Sequence, residues 1–324
     1  MYLKIKRRQF GHLVIASAAT TMLVNLVKNK TLAQEAARSL VGVRMPASQN
    51  KQNAKISTDV ENTSPAFTLV SLDLTTGSEK LSTDIPTSIV DNQTTKIEAA
   101  KRAFYTESSR ITGFTSLPDA TMAMVTVETT QKGNHSKLIF TDSKSKKAKA
   151  KKISGFKNGN HTIEGVLGTK DNKIIGIASA NNGVPPFYLV MIDPKNGKVT
   201  SGDELKLPEL PRNARFSNLA LSPDGKFYAT ILTSEGRTTL VQLDPNKTSL
   251  LTGKLLITTV AGLTYNRKYL SSDILSLTFS PSGQLIALAN LNNESKNSVF
   301  AVDIKTGNMT LLSKVSVAKI AFTP

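Results

Sequence analysis

The chain has 324 residues, a formal net charge of +17, and neither cysteine nor tryptophan. That length can bury a large core unaided, and the absence of cysteine excludes disulfides, thiolate catalysis and thiolate metal sites. The charge points to anionic partners such as polysaccharide, phospholipid head groups or acidic proteins.

The N-terminus begins with a basic cluster, Lys4, Lys6, Arg7 and Arg8, followed by a mostly apolar stretch from Leu13 to Val27 and then Thr31-Leu32-Ala33. A run this short is a poor membrane span and a good export signal with a small-residue cleavage site. Lys6-Arg7-Arg8-Gln9-Phe10 resembles the twin-arginine export motif through Arg7, Arg8 and Phe10, and departs from it at Lys6 and Gly11. Residues 1–33 are therefore expected to be an export signal, with an uncleaved anchor as the alternative. The expected destination is the periplasm, a thylakoid lumen or the exterior. Loss of the six basic residues in this segment takes the net charge from +17 to +11, so the remaining domain stays basic.

Beyond the signal, Ser39 to Arg44 reads as a strand, residues 46–65 as a long disordered loop, and Phe67 to Gly77 as a strand running into a turn. Residues 84–110 read as an insertion carrying a short helix from Lys96 to Tyr105. From there two turn signals alternate. The first is Ser116-Leu117-Pro118-Asp119, Gly168-Thr169-Lys170-Asp171, Ser222-Pro223-Asp224-Gly225 and Ser280-Pro281-Ser282-Gly283. The second is an Asp-led turn at Asp73, Asp193, Asp244 and Asp303, with a degenerate copy at Asp142. Pro presets φ, Asp bonds its own backbone and Gly supplies φ > 0, so each is sound turn chemistry. Short β-branched runs separate the signals, and the period is roughly fifty residues, which makes each unit four strands, a to d.

Four strands at this period match a β-propeller blade. The stretch from Phe279 to Leu312, with "FSPSGQLIALAN" and "SVFAVDIKTGNMTLL", resembles the blades of the WD-repeat-like propeller superfamily, although the Gly-His and Trp-Asp signatures are missing. The chain is also similar to exported propellers of bacteria, cyanobacteria among them, a likeness that implies no activity. The expected fold is all-β: one five-bladed propeller over residues 34–324. Blades 2 to 5 span Ile111–Ile153, Thr162–Leu207, Arg215–Ile257 and Asp273–Val315. Blade 1 lacks strand a, and Val317 to Pro324 is expected to supply it, closing the ring and removing two free sheet edges.

Strand a lines the channel. Aligned on the first turn, Phe114, Val166, Leu219, Leu277 and Ile320 form an apolar column that should pack between blades. The preceding column, Gly113, Gly165, Asn218, Ser276 and Lys319, should face the channel, with Lys319 as its one charge. Propeller lactonases and related hydrolases hold calcium through carboxylates and amides converging on the channel, and this column has no carboxylate. Glu164 and Asp273 lie just outside it and read as solvated rim residues within reach of the mouth. His135 and His161 read as hairpin-loop residues without a motif, and no G-x-S-x-G or phosphate loop occurs.

Lys144, Lys146, Lys147, Lys149, Lys151 and Lys152 crowd into nine residues on strand d of blade 2. Lysines there guard a free sheet edge. They would also form a docking patch for an anionic partner, with Lys157, Arg212 and Arg215 adding to it. Lys147, Lys149 and Lys151 would share one strand face. The expectation is a non-catalytic binding or scaffold module, monomeric and without cofactor, that recognises a protein or an anionic polymer such as a glycan. No nucleic-acid partner is expected, nor any transmembrane segment after signal removal. The alternative is a divalent-cation-dependent, lactonase-like hydrolase.

Overall fold

The computed structural model describes residues 40–45, 65–86, 108–130, 133–142, 148–156, 160–200, 205–211, 213–248, 254–291 and 294–323. These build five four-stranded antiparallel sheets, each a blade. Blade 1 holds β1 (Leu40–Arg44), β2 (Pro65–Asp73) and β3 (Ser78–Pro86). Blade 2 is β4 (Ser108–Ser116), β5 (Thr121–Thr130), β6 (Gly133–Asp142) and β7 (Ala148–Lys152). Blade 3 is β8 (Thr162–Gly168), β9 (Ile174–Ser179), β10 (Phe187–Ile192) and β11 (Leu205–Lys206). Blade 4 is β12 (Arg215–Leu221), β13 (Phe227–Leu232), β14 (Thr238–Thr248) and β15 (Leu255–Gly262). A hairpin follows, β16 (Thr264–Tyr265) and β17 (Lys268–Tyr269), and then blade 5: β18 (Ile274–Phe279), β19 (Leu285–Ala289), β20 (Asn297–Val302) and β21 (Met309–Val315). The last strand, β22 (Lys319–Phe322), joins blade 1, whose order is β22-β1-β2-β3.

The closure expected from the C-terminal repeat fragment is thus the one observed. Leu40 pairs with Phe322, Val41 with Ala321, Gly42 with Ile320 and Val43 with Lys319. Gly42 fits because β22 is entered closely: a Cβ there would lie 2.6 Å from a methyl of Val317.

The turn chemistry explains the blades. Ser222 N–H donates to the Lys226 carbonyl and Ser280 N–H to that of Gln284, with Gly225 and Gly283 at φ 83° and 87°. In the second signal the carboxylates of Asp73, Asp193 and Asp303 accept the N–H two residues on, and Gly77, Gly197 and Gly307 turn the chain at positive φ. Asp244 departs from the expected pattern. Its fourth residue on is Thr248 rather than Gly, and β14 continues past it with the three residues between Asp244 and Thr248 bulged out of the pairing with β15.

Packing follows the inner strands. Five apolar cores lie between successive blades, and the column Phe114, Val166, Leu219, Leu277, Ile320 sends one residue into each. Burying such side chains is worth about 1.5–3 kcal/mol apiece, so the blade faces supply most of the ring's stability. The 84–110 insertion is shorter than expected, because β3 runs to Pro86 and β4 begins at Ser108. Blade 2's inner strand therefore includes Arg110. Residues 1–39, the 46–64 part of the expected loop and the Lys96 to Tyr105 segment lie outside the described residues. No described helix is long and apolar enough to cross a membrane.

Candidate functional site

The inner strands share a device that their sequences do not advertise. In blades 2 to 5 the pairing of strand a with strand b slips by one residue, at Ile111/Gly113, Ile163/Gly165, Ser217/Leu219 and Ile274/Ser276. A bulge leaves its extra residue unpaired and re-aims the strand end. The bulges occur near the start of each inner strand, and so at one mouth of the channel.

Charged groups from all five blades collect around that mouth. Arg110 of blade 2 grips Glu164, the bulged residue of blade 3, through two parallel bonds of 2.8 and 2.9 Å. Its Nη2 also reaches the side-chain oxygen of Asn182 at 3.3 Å, in the loop between β9 and β10. Thr162 Oγ1 donates to the same carboxylate at 2.5 Å. Arg215 of blade 4 pairs with Asp273 of blade 5 at 2.9 Å, and Ser217 Oγ donates to that carboxylate at 2.9 Å. The Glu164 side chain keeps only 8% of its exposure, while Arg110 and Arg215 stay about half exposed. Glu164 is therefore not the solvated rim residue expected: it is desolvated and held by a bidentate guanidinium.

Lys319, on β22, supplies the charge of blade 1. Its ammonium donates to the carbonyl of Leu275, which the blade 5 bulge leaves out of the ladder. Burial pushes its pKa down from 10.5 to about 8, against the pull of Asp273 and Glu164 and with a further push from Arg110. Those three groups belong to blades 5, 3 and 2, and blade 3 is not a neighbour of blade 1. Lys319 is buried and, like Asn218 and Ser276 of the same column, bonds across to the neighbouring blade. The residue expected to face the channel is thus buried, with its ammonium bonded to the neighbouring blade.

Asn218 and Ser276 serve differently from their expected role. Asn218 Nδ2 donates to the Ile274 carbonyl at 2.5 Å, while Ser276 Oγ donates to the Ile320 carbonyl at 2.7 Å and accepts from Ile320 N–H at 3.2 Å. Both are buried and tie one blade's inner strand to the next, so their polar groups are spent in the wall. Asn218 also sits at φ 57°, a conformation Asn tolerates better than most residues. Gly113 and Gly165 are small for the same reason: a Cβ at Gly113 would meet Val166 at 2.6 Å, and one at Gly165 would meet Asn218 N at 3.0 Å.

Sequence reasoning passed over Arg110 and Ser217, read Asn182 only as part of a partner-binding face loop, and grouped Arg215 with the lysine run rather than with Asp273. A signal existed in the column three residues above Lys319's level, where Arg110, Arg215 and Asp273 align. Each of these carboxylates is engaged by a guanidinium, so a divalent cation here would have to displace that partner. Among the described residues no group of three or more His, Asp or Glu side chains could hold a metal ion.

No protein-family model matches the sequence, and no curated protein matches it either. Among solved structures, the chain is similar to a hydrazine synthase chain of Kuenenia stuttgartiensis (16% identity, TM-score 0.35, covering 63% of this chain and 49% of that one). It therefore spans about half the length of that protein. It is also similar to XC5397, a gluconolactonase of Xanthomonas campestris (12% identity, TM-score 0.41, 88% and 79% covered). A third is the calcium-binding protein regucalcin of Agrobacterium tumefaciens (12% identity, TM-score 0.33, 79% and 71% covered). What the mouth does must therefore be read from its own residues.

The lysine run is split by the structure. Lys149 and Lys152 are exposed on β7, the outermost strand of blade 2. Lys151 instead crosses to blade 3, where its ammonium donates to the Lys195 carbonyl and lies 5.9 Å from the Phe140 ring centroid. Lys144, Lys146, Lys147, Lys157 and Arg212 lie outside the described residues. His161 stacks on Phe156 with centroids 4.7 Å apart, and His135 sits within β6 opposite Glu128 rather than in a loop.

Proposed function

We propose that this chain is an exported binding propeller whose working site is the charged channel mouth, and that the site takes a small organic carboxylate. The carboxylate is either free or the acidic end of an anionic glycan. One observation carries the reading: the inner strands of blades 2 to 5 bring two half-exposed guanidiniums, Arg110 and Arg215, and their carboxylate partners to one mouth, with the Lys319 ammonium buried on blade 1. The half-exposed guanidiniums offer planar donors to a carboxylate, the geometry Arg recognises best. Titration of the protein at pH 7 with glucuronate and with short oligouronates, followed by calorimetry and melting temperature, tests it. Binding that weakens with salt and with Arg110→Met and Arg215→Met supports the reading, and preference for the free acid or the oligomer separates the two sources. Failure of every carboxylate to bind rejects it.

A second reading is a propeller hydrolase of the gluconolactonase kind, favoured by the entry of Glu164 and Asp273 into one mouth from blades 3 and 5. A divalent cation there would have to displace their guanidinium partners. Calcium should then raise the melting temperature, with lactone hydrolysis lost in Glu164→Gln and Asp273→Asn. Calcium indifference excludes that reading.

A further inference from the structure

We infer that a shelf formed by Tyr269 and Arg237 beside the mouth stacks sugar rings, so that the ligand is an oligouronate. Its end carboxylate enters the mouth and its next residues lie along the Tyr269 ring. The inference rests on the carboxylate-binding reading above and takes the glycan as the source of the carboxylate. Tyr269 is the only Phe or Tyr among the described residues that lies mostly in water, at 57% exposure, while the others are buried or partly buried. Its ring is nevertheless held in place. The Arg237 guanidinium lies 4.9 Å from the ring centroid. Gly262, at the end of β15, leaves room for the ring, since a Cβ there would lie 2.8 Å from Tyr269 Cε1. The next residue, Leu270, is buried; its N–H donates to the Leu263 carbonyl and its own carbonyl accepts from Thr238 N–H. A ring fixed this way keeps an open surface and loses little freedom on binding.

The shelf adjoins the mouth. Thr238, next to Arg237, donates from Oγ1 to the Ser272 carbonyl at 2.7 Å, and the following residue, Asp273, pairs with Arg215 and Ser217. Tyr269 and Asp273 are four residues apart, so their α-carbons are separated by at most about 14 Å. Charge favours the same ligand. The connections that form the shelf, residues 233–237 and 264–270, carry Arg237, Arg267 and Lys268 against Glu235 alone, all four exposed. A pyranose offers an apolar C–H face to an aromatic ring and carries its hydroxyls and carboxylate at the rim. A single uronate fills the mouth without covering the ring, and a neutral sugar gains nothing from the guanidiniums. A chain of uronates uses both, with planar donors for successive carboxylates.

The test uses the full chain at pH 7, with galacturonate and its dimer, trimer and tetramer as probes, read by calorimetry. The tetramer should bind at least roughly tenfold tighter than the monomer, the size of one ring contact plus one charge-assisted pair. Tyr269→Ala and Arg237→Met should each bring that ratio towards one, and Tyr269→Phe should preserve it. The methyl-esterified tetramer should lose the gain. A tyrosine difference spectrum should appear with the tetramer but not the monomer, and vanish in Tyr269→Phe. The wild-type series and that spectrum decide the matter even where Tyr269→Ala fails to fold. Equal affinity for monomer and tetramer overturns the shelf and leaves the mouth standing. A ratio that survives both Tyr269→Ala and Arg237→Met, or an ester that binds as well as the acid, also overturns it. Failure of every uronate to bind overturns the shelf and the carboxylate reading together.

Discussion

Below pH 8, Lys319 is protonated in the folded and the unfolded chain alike, and the fold bears the cost of holding that charge out of water. From pH 8 to about 10.5 the folded chain has released a proton that the unfolded chain still holds. Unfolding then takes up a proton, so this residue's contribution to stability rises with pH across that window. The shift corresponds to on the order of 3 kcal/mol. Subtracting the stability profile of Lys319→Met from that of the wild type should leave a curve that climbs between pH 8 and 10.5. Parallel profiles would show that the amine is not desolvated. Glycines in the wall give a second expectation. A Cβ on Gly168 would lie 2.1 Å from the Ser116 carbonyl oxygen in blade 2, whereas one on Gly176 would meet nothing nearer than 3.3 Å. Gly168→Ala should cost about 1–3 kcal/mol through a forced blade shift, and Gly176→Ala clearly less, in chemical denaturation. Lys319 was legible in the sequence because it stands in a column of small and polar residues. The Arg110–Glu164 pair was not, because it joins residues 54 apart and depends on a bulge that turns Glu164 into the mouth.

Among elements, β22 is the shortest inner strand and closes the largest loop. All four of its residues are buried, and Ile320 and Phe322 enter the core between blades 5 and 1. Deleting residues 317–324 exposes that core and a free edge on β1, at a cost on the order of 5 kcal/mol, comparable to the whole stability of many domains. Circular dichroism melts should show the cooperative transition lost or moved far down, and an unchanged melt would refute the closing role. Blade number and closure were readable because Pro, Asp and Gly mark turns whatever surrounds them. The β16–β17 hairpin was missed because its strands are two residues each and its turn is Asn266-Arg267, both at positive φ without a glycine. The bulges left no compositional mark either, since Thr112, Glu164, Asn218 and Leu275 have nothing in common except position.

For the whole molecule, the basic charge acts at two ranges. At the mouth it is organised and partly desolvated, while on β7 the lysines lie in water, where salt screens them within about 10 Å at 0.1 M. Lys149→Gln with Lys152→Gln should shift elution from an anionic matrix to lower salt and leave the melting temperature unchanged. Lys151→Gln should do the reverse, lowering the melting temperature with little change in elution, because its ammonium bonds to blade 3. An equal elution shift for both would return Lys151 to the surface patch.

The pairing of Leu40 with Phe322 also governs how the chain reaches its ring. Among the described strands β1 is made first and its inner partner β22 last, so this seam must wait for all the other blades. Contacts this distant in sequence slow folding far more than they affect final stability. A circular permutant, with residues 322 and 40 joined by a short linker and new ends opened between blades 3 and 4 at residues 207–213, would make that seam a local hairpin. It should refold faster from denaturant at similar equilibrium stability, showing that the native order of blades carries a kinetic delay.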